Sequence, residues 1–311
     1  MKKNKKGLIY LLSVFLFCIF SCNKENLSPP PTPRGVDSLI IYGTSDFTFA
    51  EYAPLNNKPV KVYFYVPNNA NKNTPILFVL HGNERNALLS RNELIASANQ
   101  LNFIIIAPEF SEANFPGGDG YNLGNIFVDG DNPTPQTLNE ESIWTFSIIE
   151  PLFENFKNKI GSAVTQYDMF GHSAGGQFVQ RYILFKPNAK INKTVIASSG
   201  WYTMLDNSIV FPYGTKGSPS ENLKYNSLFG KKVFLVIGGD DTNPNSDALR
   251  HNDIVDKQGL NRLERAQYFY SQTRNTAVKN NLNFNWDYLV LPKVDHDFSA
   301  TSSAGALLLY K

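Results

Sequence analysis

Apolar residues recur in short runs along the chain, and amphipathic patterns separate most of them. The predicted strands cover residues 60–66, 75–80, 103–107, 167–170, 194–197, 232–237 and 286–291. Several runs are apolar at consecutive positions, which is typical of strands buried on both faces of a parallel sheet. Helices are predicted over residues 93–101, 177–185, 260–278 and about 299–309. This alternation predicts an α/β fold, a doubly wound, mostly parallel sheet with helices on both faces.

The first residues carry the pattern of an export signal. Lysines at positions 2, 3, 5 and 6 precede an apolar run of about 14 residues, which is short for a membrane span of roughly 20 residues. Residues 1–21 therefore read as a signal peptide. Ile19, Phe20 and Ser21 precede Cys22 in a pattern that resembles a bacterial lipobox. The alternative is an ordinary signal peptide that ends near a cysteine.

Lipidation of Cys22 would hold the protein at a bacterial membrane, on the periplasmic or cell-surface side. Residues 22–37 contain prolines at positions 29, 30, 31 and 33, a composition typical of a stiff, extended tether. Residues 38–311 fit a single α/β domain. Cys18 lies inside the signal segment, so the mature chain keeps one cysteine and can form no internal disulfide bond. The lipid anchor is the only membrane contact expected.

The basic character of the whole chain comes from the signal segment. Four of the 29 Lys and Arg residues lie before Cys22, and none of the 27 Asp and Glu residues does, so the mature chain has a net charge near −2. We therefore expect no nucleic-acid partner. The sequence does not indicate an oligomeric state.

A serine motif lies at the junction of a predicted strand and helix. Gly171, His172, Ser173, Ala174 and Gly175 form a Gly-x-Ser-x-Gly pattern. Small residues at its ends allow a sharp turn that exposes the serine hydroxyl. The following helix directs its amino end at the same point, which favours developing negative charge. The motif predicts that Ser173 is a nucleophile.

This motif in its strand–turn–helix context resembles the nucleophile elbow of the α/β-hydrolase family. In that family the acid follows a later strand and the histidine follows the last strand. The resemblance implies His296 as the base and Asp241 as the acid, with Asp240 as the alternative and Asp206 as a third possibility. It implies no cofactor. A loop from Asp241 that superficially matches a calcium site lacks the required glycine, so we expect no metal.

Backbone amides are expected to bind the oxyanion of the tetrahedral intermediate. The resemblance implies the N–H of Ala174, together with that of Asn83 or Gly82 in the segment after residues 75–80. The alternative for that segment is a simple glycine turn. His81 is expected to order the loop.

Aromatic residues near the predicted catalytic edge are candidates for substrate contact. Trp201 and Tyr202 follow a strand end, and Phe115 and Tyr121 lie in a glycine-rich stretch, residues 110–139. That stretch is interpreted as a loop over the active site or as a loop folded on its own aromatics. Arg262 and Arg265 are interpreted as part of a solvated helix face.

Three functions are consistent with these features. Within the family, the chain is similar to polyhydroxybutyrate-depolymerase-like and feruloyl or acetylxylan esterases, which implies a serine carboxylic-ester hydrolase acting through an acyl-enzyme. Its partner would be a small-molecule or polymer ester, such as an acylated polysaccharide or a polyester. The alternatives are a serine peptidase of the same fold and a catalytically inactive surface-binding lipoprotein.

Overall fold

The computed structural model describes residues 38–311, so the predicted signal peptide and the tether with Cys22 lie outside the described residues. The strands are β1 Gly43–Phe49, β2 Val60–Val66, β3 Ile76–Leu80, β4 Ile104–Glu109, β5 Tyr167–His172, β6 Ile191–Ala197, β7 Lys232–Gly238 and β8 Trp286–Leu291. The helices are α1 Ala87–Glu93, α2 Ile95–Leu101, α3 Gly117–Gly120, α4 Ile149–Ile160, α5 Ala174–Phe185, α6 Tyr225–Phe229, α7 Arg262–Lys279 and α8 Phe298–Tyr310.

Within residues 38–311 the strands form one eight-stranded sheet in the order β1-β2-β4-β3-β5-β6-β7-β8. Pairing is parallel from β4 to β8, and β1 and β2 add an antiparallel edge. Phe78 of β3 packs in the apolar cluster that contains Phe178 of α5. The next residue, Val79, faces the opposite cluster, which contains Ala98 of α2 and Ala306 of α8. The predicted mostly parallel sheet with helices on both faces is confirmed.

The described chain enters this fold at the amino ends of the parallel strands. The Ile40 N–H donates to the carbonyl of Ile160, which precedes β5 (2.9 Å). The Tyr42 hydroxyl donates to the carbonyl of Ala70, which precedes β3 (3.2 Å). Leu39 is buried. The first described residues are therefore fixed to the edge of the sheet at which β3 and β5 begin.

No helix among residues 38–311 combines the length and the apolar character needed to cross a bilayer.

Candidate active site

The segments that contain the predicted catalytic residues meet at the carboxyl ends of the parallel strands. Pairing is parallel from β3 through β5, β6 and β7 to β8, so the carboxyl ends of these strands lie together. Asn83 follows β3, Ser173 follows β5, Asp241 follows β7 and His296 follows β8. Ser173 and His296 both line a cavity of about 680 Å³. Residues far apart in the sequence are thus brought to one site.

Ser173 occupies a sharp turn between β5 and α5. Its backbone has φ 56° and ψ −118°, and its N–H donates to the Ala197 carbonyl (3.0 Å). A Cβ on Gly171 would lie 2.1 Å from the Gly175 carbonyl oxygen, and a Cβ on Gly175 would lie 2.1 Å from the Leu80 carbonyl oxygen. The two glycines are required because backbone fills the space in which side chains would stand.

Asp241 is the carboxylate that contacts His296. The distance from His296 Nδ1 to Asp241 Oδ2 is 2.8 Å, and the Asp241 side chain is 3% exposed. Asp240, the alternative acid, is exposed to solvent. Asp206 is also exposed and accepts hydrogen bonds from Ser208. With Nδ1–H directed at the carboxylate, the imidazole keeps a lone pair on Nε2, which is what a general base needs.

The other oxygen of Asp241 faces an arginine. Arg262 Nη1 lies 3.4 Å from Asp241 Oδ1 and donates to Ser246 Oγ (2.8 Å). The exposed fractions of the Arg262 and Arg265 side chains are 4% and 0%, so the interpretation of a solvated helix face is wrong for both. Each guanidinium is buried beside a carboxylate, Asp241 for Arg262 and Asp256 for Arg265, and such pairing makes the burial possible.

A second histidine packs beside His296. The ring centroids of His172 and His296 are 4.5 Å apart, and His172 Nδ1 lies 3.0 Å from Thr301 Oγ1. The Thr301 hydroxyl donates to the Asp297 carbonyl (2.8 Å), so it accepts from His172. Burial holds the pKa of His172 well below its usual value, with smaller contributions from the charges of His296 and Arg262. His172 is a neutral ring that limits where the His296 ring can lie.

His81 fixes the segment that follows β3. It is fully buried, its Nε2 accepts from the Phe110 N–H (3.1 Å), and its Nδ1 lies 2.9 Å from the Gly82 carbonyl. The Tyr121 hydroxyl donates to the His81 carbonyl (2.7 Å), and the two rings stack at 4.6 Å. Burial lowers the pKa of His81 to about 4. These contacts agree with an ordering role for a neutral His81.

The three residues expected to supply oxyanion amides lie around the serine. Gly82, Asn83 and Ala174 line the cavity together with Ser173. A Cβ on Gly82 would lie 3.8 Å from the Ser173 Cβ. The two segments, one after β3 and one at the start of α5, therefore approach each other at the nucleophile.

Arg85 ties this segment to the glycine-rich stretch and was not singled out from the sequence. Its guanidinium donates to the carbonyls of Phe110 (2.6 Å), Phe115 (3.1 Å) and Gly117 (2.9 Å) and to Glu112 (2.9 Å). Its own backbone is left-handed, with φ 58°. One side chain thus bridges the loop after β3 to residues 110–117. No local motif signals such a bridge, because three of its four acceptors are backbone carbonyls.

One of the four aromatic residues proposed for substrate contact lies on the cavity wall. Trp201 lines the cavity beside Arg250, whose guanidinium carbon is 5.0 Å from the centroid of the Trp201 ring. The guanidinium carbon of Arg181, a fully buried residue, lies 4.1 Å from the Trp201 ring centroid. Cation–π contact fixes the indole between α5 and residues 241–261.

The other three aromatics are not on that wall. Tyr202 is buried and stacks on Phe269 at 4.3 Å. Tyr121 is buried beneath His81, and Phe115 lines a separate hollow of about 310 Å³. Phe115 and Tyr121 both pack against Phe110, so the glycine-rich stretch folds on its own aromatics. That stretch still reaches the site through Gly118 and Asn122, which line the cavity.

In the described part of the chain, no group of three or more His, Cys, Asp or Glu side chains is arranged to hold a metal ion.

Comparison with solved structures identifies similar proteins. The poly(aspartic acid) hydrolase-1 from Sphingomonas sp. KT-1 is 35% identical, with a TM-score of 0.79 over 87% of this chain and 99% of that chain. The poly(3-hydroxybutyrate) depolymerase from Bordetella parapertussis is 27% identical, with a TM-score of 0.78 over 87% of this chain and 90% of that chain. An S-formylglutathione hydrolase from Agrobacterium tumefaciens shares the fold at 15% identity and a TM-score of 0.53, over 88% of this chain and 97% of that chain. No protein-family model matches the sequence, and no curated protein matches it.

Proposed function

Since this chain belongs to the α/β-hydrolase superfamily, a group of hydrolytic enzymes, we propose that it is a serine hydrolase that cleaves carboxylic esters through an acyl-enzyme. The observation that carries this proposal is the 2.8 Å contact between His296 Nδ1 and Asp241 Oδ2 at the cavity that Ser173 also lines. In this proposal Ser173 is the nucleophile, His296 the base and Asp241 the acid.

The proposed reaction has two steps, formation of the acyl-enzyme and its hydrolysis. Ser173 Oγ attacks the carbonyl carbon while its proton passes to His296 Nε2, and the N–H groups of Ala174 and Asn83 or Gly82 stabilise the oxyanion. His296 then returns the proton to the departing alkoxide, which leaves as an alcohol. Water then attacks the acyl carbonyl carbon while its proton passes to His296, and His296 gives that proton to Ser173 Oγ as the carboxylic acid leaves. Asp241 holds the imidazole tautomer throughout.

Hydrolysis of p-nitrophenyl esters by the domain from residue 38 onward tests this proposal. We expect Ser173→Ala and His296→Ala each to lower kcat by at least about a thousandfold. Asp241→Asn and Asp240→Asn form a matched pair, of which only the first should be strongly impaired. A folded wild-type domain that neither cleaves esters nor reacts with a fluorophosphonate would reject the proposal and favour the inactive binding lipoprotein.

An amide substrate is the second candidate, since the 35% identical neighbour is a poly(aspartic acid) hydrolase. The charge around the site favours the ester. Among the described residues that line the cavity, the acidic ones are Glu84, Glu93, Asp247 and Asp297, and the arginines are Arg250 and Arg262. Each of these two arginines already has an aspartate partner. A neutral polyester or acylated saccharide therefore meets less repulsion than a polyanion.

Parallel assays with poly(3-hydroxybutyrate), acylated saccharides and poly(aspartic acid) separate these candidates. The ester proposal predicts turnover of at least one neutral ester and little turnover of poly(aspartic acid) at low salt. Preferred cleavage of the polyanion would instead support the amide hydrolase.

We also propose that the protein is exported and anchored through a lipid on Cys22, on the periplasmic or cell-surface side of a bacterial membrane. The lipobox-like residues before Cys22 support this. Metabolic labelling with a palmitate analogue should mark the wild-type protein and the Cys18→Ser control but not Cys22→Ser. Equal labelling of the two variants would contradict the anchor.

A further inference from the structure

Asp241 is held from three directions at the start of α7. Its backbone carbonyl accepts from the Leu263 N–H (3.1 Å), its Oδ2 faces His296 at 2.8 Å, and its Oδ1 faces Arg262 at 3.4 Å. The carboxylate thus lies between an imidazole and a guanidinium. Two side chains from different elements determine its orientation.

Arg262 itself has little freedom at this position. It is the first residue of α7, and Asn261 caps the helix by accepting from the Glu264 N–H. Arg262 Nη1 also donates to Ser246 Oγ at 2.8 Å, which joins α7 to the loop that follows Asp241. Arg262 Nε is buried without a hydrogen-bond partner, so the hydrogen bonds described for this guanidinium are those that Nη1 makes with Asp241 and Ser246.

We propose that Arg262 is a positioning residue of the catalytic centre, which holds the Asp241 carboxylate in its orientation towards His296 and offsets part of the carboxylate's charge. This inference rests on the proposed serine-hydrolase function. The positive charge opposes formation of an imidazolium through the shared carboxylate. The chain of side chains is therefore Ser173, His296, Asp241 and Arg262.

Other groups near His296 do not replace this charge. His172 packs against it from the end of β5 and is neutral, as described above. Asp295 and Asp297 flank it in the chain and are exposed, as is Asp240 in the loop after β7. Tyr202 is buried and its pKa is raised by burial, so it carries no charge. Of these neighbours, Arg262 is the cation in contact with Asp241.

The test compares Arg262→Gln, Arg262→Lys and Arg274→Met. Glutamine keeps hydrogen-bond donors without the charge, lysine keeps the charge, and Arg274→Met removes an exposed charge from the same helix. We expect Arg262→Gln to shift the acid limb of kcat/KM upward by about one pH unit and to lower the plateau about tenfold, chiefly through kcat. Arg262→Lys should keep the limb near its wild-type pH, and Arg274→Met should match wild type throughout.

A second readout does not depend on turnover. The downfield proton resonance of the His296 Nδ1–H, assigned by its loss in His296→Gln, reports the hydrogen bond to Asp241. We expect it to weaken or exchange faster in Arg262→Gln and to persist in Arg262→Lys and Arg274→Met. If an inert wild type still shows this difference, the proposed function fails and the positioning role stands. An unchanged resonance and an unchanged pH profile in folded Arg262→Gln would overturn the inference. The same holds if the variant is less stable than the wild type but shows neither change.

Discussion

Ser173 adopts a backbone conformation that its own side chain disfavours. Its φ of 56° brings Cβ close to the backbone, and such positions store about 1–3 kcal/mol of strain. The turn is maintained because β5 and α5 are fixed by the core on both sides, where Phe170 and Phe178 are buried. The turn that places Ser173 on the cavity wall thus lowers the local stability of the fold.

Ser173→Gly should therefore be more stable than Ser173→Ala. Both variants lack the hydroxyl, and they differ in the Cβ that causes the strain. We expect glycine to raise the free energy of unfolding by about 1 kcal/mol, since relief of about 1–3 kcal/mol of strain exceeds the entropic cost of glycine, about 0.5–1 kcal/mol. Urea denaturation measures the difference. Equal stability would mean that the turn holds a Cβ without strain.

Arg85 offers a second prediction at the scale of one residue. Arg85→Met removes four hydrogen bonds that join the segment after β3 to residues 110–117. Because that segment is expected to carry oxyanion amides, we expect kcat to fall about ten- to a hundredfold with a smaller change in KM. Glu112→Gln removes only the exposed ion pair and should stay within about twofold of wild type. Full activity of folded Arg85→Met would show that these hydrogen bonds are not needed for catalysis.

At the scale of elements, the close packing of β5 against α5 requires glycine at position 171. Gly171→Ala would bring a methyl group within 2.1 Å of the Gly175 carbonyl oxygen, and backbone of the first helical turn cannot move aside. We expect a loss of about 3 kcal/mol or more, or no folded protein. Gly200→Ala is the control, since its Cβ would meet its nearest neighbours at 3.7 Å and 3.9 Å. Thermal unfolding of both variants measures the contrast.

The elements that the sequence pattern missed are those whose burial is one-sided or interrupted. β1 is an edge strand in which Phe49 is buried while most other side chains are partly or fully exposed, so it lacks the apolar run that marks the central strands. α4 contains Pro151, yet it lies in the first turn, where proline is tolerated. The helix predicted over residues 93–101 is α2, and the pattern missed α1, which precedes it and meets it at Leu94.

The site was predictable to the extent that local motifs encode it. Ser173 is marked by its glycines, and His296 by its place after the last strand. The choice of Asp241 over Asp240 depended on which of two adjacent side chains points inward, which spacing alone does not fix. Arg85 and Arg262 were missed as site residues because their partners lie on other segments. The fold class followed from the periodicity, and these contacts required the folded chain.

For the whole molecule, buried histidines predict a loss of stability in mild acid. Burial lowers the pKa of His81 to about 4, whereas an unfolded histidine titrates near 6.5. Between these values the unfolded chain binds a proton that the folded chain does not, so the free energy of unfolding falls as pH falls. His172 acts in the same direction. Above pH 6.5 this contribution is constant.

The expected size is about 1.4 kcal/mol per pH unit for each such histidine below pH 6.5. Urea denaturation at pH 7 and pH 5 of the wild type and of His81→Gln measures it. The wild type should lose about 2 kcal/mol more than the variant over that interval. Equal losses would show that His81 is protonated in the folded protein without penalty.

The place where the chain joins the fold has a consequence for how an attached enzyme would work. Residues 39–42 are fixed where β3 and β5 begin, and the cavity lies where those strands end. The first described residues thus join the domain on the side remote from the cavity. If the lipid proposed at Cys22 is present, the anchored chain enters the domain on the face opposite the cavity.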